Sequence, residues 1–75
     1  MIRELDRVVL TTSLRKHRLK RGDIGTVVMK HDSRGYEVEF MTLDGNTVAV
    51  VSVTPRQVRR IARGEISHAR SIHVA

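Results

Sequence analysis

The residues with the strongest chemical character in this 75-residue chain are its cations. Arg15, Lys16, Arg18, Lys20 and Arg21 crowd into one short stretch, with His17 among them. Arg56, Arg59, Arg60 and Arg63 form a second cluster. Guanidinium and ammonium groups at this density attract anions: nucleic-acid phosphates, anionic lipid headgroups, or carboxylates on an acidic protein. The formal net charge of +6 adds a long-range field of the same sign. The plainer reading is a pair of solvated segments that keep a small protein soluble. Both readings stay open at the level of sequence.

Other constellations argue against catalysis. Glu37 and Glu39 are two apart, which on a strand places both carboxylates on one face about 7 Å apart. Paired carboxylates can do general acid–base work, but no nucleophile or aromatic sugar platform accompanies them. A solvated face with Arg or Lys across the strand is the expectation. His17, His31, His68 and His73 lack an i, i+4 pair and a Cys partner, so no metal is expected. Gly22 and Gly25 precede a strand pattern, so no helix N-terminus awaits a phosphate. Ser13, Ser33 and Ser52 have no consistent base beside them. The chain is read as a non-enzyme that needs no cofactor.

Size and composition narrow the field. Seventy-five residues make one domain. Such a chain buries only about 60% of its unfolded surface, so its stability is marginal. The absence of Cys removes disulfides and thiolate metal sites and fits a reducing compartment. No stretch reaches the ~20 apolar residues of a membrane span, and Met1 to Leu10 lacks a signal-peptide core. A cytoplasmic protein with no membrane partner is the expectation. The aromatics are Tyr36 and Phe40 alone, on one face of a strand pattern. They fit a core better than a base-stacking platform.

The elements that must carry these groups read as short strands separated by turns. Strands are expected over Asp6–Thr11, Thr26–Lys30, Gly35–Thr42 and Thr47–Val53, with a last one around Arg59–Ile61. The basic cluster falls in the loop after the first strand. Gly22-Asp23-Ile24-Gly25 marks a tight turn, and Asp32-Ser33-Arg34-Gly35 a hairpin with Gly35 left-handed. Asp44-Gly45 signals a two-residue hairpin. Pro55 stops the fourth strand and opens one helical turn, Arg56 to Val58. Alternation assigns Val8, Leu10, Leu19, Val27, Tyr36, Val38 and Phe40 to the core.

Apolar residues exceed what one interior needs. Val9, Val28 and either Val48 with Val50 or Ala49 with Val51 are left over. Residues 62–75 form a tail whose Ala62, Ile66, Ala69 and His73 recur at helical spacing, against the alternative of an extended end. Ile66 and Ile72 are expected to cover the surplus face, either in the same chain or on a second molecule.

The segment Leu19-Lys20-Arg21-Gly22-Asp23-Ile24-Gly25-Thr26-Val27-Val28, then Tyr36-Glu37-Val38-Glu39-Phe40, then Asp44-Gly45 leading to Thr47-Val48-Ala49-Val50-Val51, resembles domain-of-unknown-function family 4926. The resemblance runs from about Leu5 to Ile61. A Gly-Asp-x-Gly-x-Val turn also occurs in ribosomal and transcription-factor barrels of the KOW type. The resemblance implies a short bacterial protein with an all-β, five-stranded antiparallel SH3-like barrel at residues 1–61 and a tail at 62–75. It also implies a stand-alone protein encoded beside small toxin genes, and so a protein partner such as a toxin held by its antitoxin or immunity protein. An RNA- or ribosome-associated barrel that binds phosphates through the same cations is the second reading. The family supplies no catalytic residues. This chain departs from it in its more basic first loop and its added tail. The oligomeric state is not legible.

Overall fold

The computed structural model describes residues 1–32 and 34–72. Five strands form one antiparallel sheet: β1 (Arg7–Leu10), β2 (Ile24–His31), β3 (Gly35–Met41), β4 (Thr47–Val53) and β5 (Val58–Arg60). Their order is β4-β3-β2-β1-β5. The chain meanders from β1 to β4 and returns β5 to the far side of β1, so the hydrogen-bonded order ends at β4 and at β5. A 3-10 helix, Arg15–His17, lies in the β1–β2 connection.

Val8, Leu10, Leu19, Val27, Tyr36, Val38 and Phe40 are all buried, as alternation required, and Val51, Val53 and Val58 join them in one cluster. These residues come from all five strands and the loop before β2. With no second layer among the described residues, the sheet must curl so that one face buries itself. Part of the apolar surplus goes into this interior, with Val51 buried in the cluster. Phe40 pairs with Ala49 and Met41 with Thr47, so Val48 is an extra residue opposite β3. The bulge lets Val48 and Ala49 both pack against the core. Val9 is 8% exposed, while Val28 and Val50 remain outside at 41% and 53%.

Gly22 turns at φ +94, as the turn signal required. Gly25 has a different role. It sits in β2, where a Cβ would lie 2.5 Å from Val38 Cγ1 and 2.9 Å from the Glu39 carbonyl oxygen. Glycine there lets β2 approach the core side of β3.

Several expectations are corrected. Pro55 to Gln57 form a turn, closed by the Gln57 N–H donating to the Thr54 carbonyl at 3.0 Å. Val58 therefore opens β5 and does not end a helical turn. The β3–β4 connection runs from Thr42 to Asn46, five residues, because the Gly45 N–H bonds the Thr42 carbonyl and the Thr42 N–H bonds the Asn46 carbonyl. The two-residue hairpin is thus replaced by a longer loop. Gly35 has the positive φ expected of it, +134, and Asp32, at φ 43, adds a second left-handed residue to that turn. Residues 62–72 contain no helix: a turn at Arg63-Gly64, with Gly64 at φ +83, breaks the pattern early. Ile66 is 94% exposed and covers nothing in this chain, while Ile72 is half-buried. His73 and Ser33 lie outside the described residues.

Phe40→Ala removes a ring that is 2% exposed. It should cost about 3–5 kcal/mol in a denaturant melt, enough to unfold much of a marginal domain. Leu43→Ala, at a side chain 93% exposed, should stay within about 0.5 kcal/mol. Equal effects would contradict this division of inside from outside.

Candidate functional site

The basic loop is built on a small closed circuit. The Leu14 N–H donates to the Leu19 carbonyl at 2.8 Å, and the Leu19 N–H returns to the Leu14 carbonyl at 3.1 Å. Leu19 is buried in the core, which pins the circuit to the sheet. The four residues between, Arg15 to Arg18, are consequently thrown outward and exposed. Arg18 reverses the chain at φ 59. Lys20 and Arg21 follow, also exposed.

The next element is Asp23. Its carboxylate accepts the Lys20 N–H at 2.8 Å, and its own N–H donates to the Lys20 carbonyl at 2.9 Å. Arg70, from the tail, then meets it with two bonds. Nε donates to Asp23 Oδ1 at 2.8 Å and Nη2 to Oδ2. Nη2 also donates to the Arg18 carbonyl at 3.2 Å. The Arg70 and Asp23 side chains are only 27% and 18% exposed. Burial pushes the Asp23 carboxyl up, but the Arg70 bonds, the Lys20 N–H and the attraction of both cations outweigh it. Its pKa falls below the ordinary value.

This arrangement draws predicted and unpredicted residues together. A cavity of about 480 Å³ is lined by Arg15, Arg18 and Lys20 from the loop, Arg70 from the tail, and the hydroxyl-bearing Ser13 and Ser71. Lys16 and Arg21 belong to the same exposed loop but do not line it. The Arg21 N–H donates to Ser13 Oγ at 3.2 Å, which ties the start of the loop to its end. Such a cavity offers cationic and hydroxyl donors to an anion.

The second predicted cluster behaves differently. Arg59 is engaged within the fold: its Nη1 and Nη2 donate to the two Glu65 oxygens at 2.8 and 2.7 Å. The Arg59 bonds and the Ala62 N–H hold the Glu65 carboxyl at about 2. Arg59 therefore braces the tail through Glu65 while its side chain stays 47% exposed. Arg56, Arg60 and Arg63 are exposed, and none of them lines the cavity.

The acidic pair is also resolved. Ser52 Oγ donates to Glu37 Oε2, and His31 Nε2 meets the same oxygen at 2.8 Å. Thr47 Oγ1 donates to Glu39 at 2.7 Å. Hydroxyls and an imidazole thus replace the Arg or Lys expected across the strand. Ser52 first, then His31, lower the Glu37 pKa. Glu37 stands between the hydroxyl and the imidazole, so His31 is not placed as the base for Ser52. Among the described residues no group of three His, Asp or Glu side chains could hold a metal, and no helix is long and apolar enough to cross a membrane.

The fold and its loops define a small all-β domain that presents a cationic cavity at the β1–β2 connection. Residues 4–60 match the family model described as Domain of unknown function (DUF4926), and the chain belongs to that family. Searches of curated proteins and of solved structures gave no match. Glu65 and Arg70 lie beyond the matched residues.

The Asp23 shift sets a pH dependence. A carboxyl with a depressed folded pKa contributes stability that is complete above its unfolded value and is lost as pH falls through the folded one. The Asp23–Arg70 contact should therefore be intact from neutrality down to about 4, and open only below the ordinary value of 3.8. The Arg70 Nε–H resonance, followed by NMR through an acid titration, checks this. Loss of its distinct shift above pH 5 would contradict the pairing.

Proposed function

We propose that this chain is a non-catalytic, cytoplasmic interaction module that grips an acidic surface on a protein partner through Arg15, Arg18 and Lys20, flanked by Lys16 and Arg21. The observation that carries the reading is the cationic cavity. Three basic residues of one loop line it beside Arg70, and the loop backbone is pinned by buried Leu19. A pinned loop loses less entropy on binding than a free one. Arg56, Arg60 and Arg63 extend the positive field without lining the cavity. A small toxin restrained by this chain as by an antitoxin or immunity protein is the partner class to which the family resemblance points.

The same cations would serve RNA phosphates. The protein reading is favoured because Tyr36 and Phe40, the chain's two aromatics, are both in the core. Bases of a single strand would find no ring to stack on.

The test is co-purification with the product of the neighbouring gene, using the wild-type chain and a chain carrying Arg15→Glu, Arg18→Glu and Lys20→Glu. The variant should fold normally and lose the complex. A complex unaffected by the reversals would reject this surface. Absence of any complex, together with RNA binding whose affinity falls steeply with salt, would transfer the site to phosphates.

A further inference from the structure

The tail runs across the body of the protein without joining the sheet. Residues 62–72 form neither strand nor helix. Among the described residues, Arg70 is the only one downstream of Glu65 that hydrogen-bonds to the rest of the chain. Beneath this segment lies a cavity of about 590 Å³. Residues Ser67 to Ile72 form one wall; the opposite wall includes Ile24, Phe40, Met41, Leu43 and Val48. Met41 and Leu43 are well exposed, so the apolar wall is not closed over. Arg70 points inward to Asp23, Ser71 is exposed, and Ile72 is half-buried at the cavity. Alternation of this kind is how an extended peptide is read by a groove: one ionic anchor, then an apolar side chain two positions on.

We propose that the groove between Asp23 and the β3–β4 connection is a peptide-binding site for an extended segment of the pattern Arg-x-aliphatic, and that the chain's own residues 67–72, which wall one side of it, hold its Asp23 end with Arg70. Asp23 is the specificity determinant. Its carboxylate already accepts the Lys20 N–H, so it is oriented to take a guanidinium in a two-bond fork. The apolar wall selects the aliphatic residue. Because the occupant is tied to the body by the same chain, it competes at an effective concentration on the order of millimolar. A partner segment of the same pattern must displace it. The site adjoins the cationic cavity and shares Arg70, Ser71 and Ile72 with it, but it takes the opposite charge.

The test uses the full-length chain carrying Arg70→Ala, which frees its own tail, and a synthetic peptide of residues 64–72 added in trans. Methyl resonances of Ile24, Met41 and Leu43 report binding. The variant should bind the peptide saturably and at least tenfold tighter than the wild-type chain, where the tail competes. Asp23→Asn in the variant, or Arg70→Ala in the peptide, should abolish the shifts. Three results would overturn the proposal: no binding at several times the effective concentration, equal binding to both chains, or binding that survives Asp23→Asn. Charge reversals at Arg15 and Lys16, neither of which bonds Asp23, should leave the peptide affinity unchanged, which separates this site from the one proposed for an acidic partner.

Discussion

The carboxylate of Asp23 holds three parts of the chain together. It takes the Lys20 N–H and so shapes the end of the basic loop. The residue stands directly before β2, and its carbonyl accepts the Leu10 N–H at 2.9 Å at the end of β1. The carboxylate then receives Arg70 from a point 47 residues downstream. An isolated carboxylate at this depth would be costly. The fork from Arg70 and the backbone donor make the charge tolerable, and that pairing fixes where the tail crosses the surface. Both candidate sites share this arrangement: the cationic cavity lies on the Arg15–Lys20 side of Arg70, and the apolar groove on the side of β3 and β4.

The sheet can support such a loop because its interior is narrow and mostly aliphatic. Five of the ten clustered residues are valines from β1 to β4, a sixth is Val58 of β5, and only Phe40, Tyr36 and two leucines are larger. Small β-branched side chains suit a tightly curled sheet, and Gly25 removes a Cβ where β2 meets Val38 and Phe40. Leu19 belongs to this cluster while its neighbours on both sides are charged. The basic loop thus inherits its position from the core.

The core is legible in the sequence because alternation with period two survives in β3, whereas in β1 the consecutive Val8, Val9 and Leu10 are all buried. It is less legible in β4, where every residue from Val48 to Val51 is apolar and only the bulge at Val48 decides which faces inward. The five-residue β3–β4 loop escapes a sequence reading because Asp44-Gly45 alone does not reveal the bonds that Thr42 makes with Gly45 and Asn46. The basic loop can be read as a loop, but the site cannot be assembled from it. Arg70 is far away in sequence and lies in a segment with no clean periodicity. A signal is nevertheless present: Asp23 is the lone acid between Asp6 and Asp32, set among cations, and Glu65 is the lone acid after Asp44. Each of these isolated carboxylates fixes an arginine, and together they route the tail.

The most direct measurement is a double-mutant cycle on Asp23→Asn and Arg70→Gln, read by thermal or denaturant unfolding of the full chain. If Asp23 acts through Arg70, the two substitutions lose much of the same interaction, and a coupling of about 0.5–3 kcal/mol is predicted. Strictly additive effects would mean that the two side chains do not meet in solution. The tail would then be unlatched, and the cationic cavity and the apolar groove would both lose the wall that Arg70 holds in place, contradicting the role assigned to Asp23.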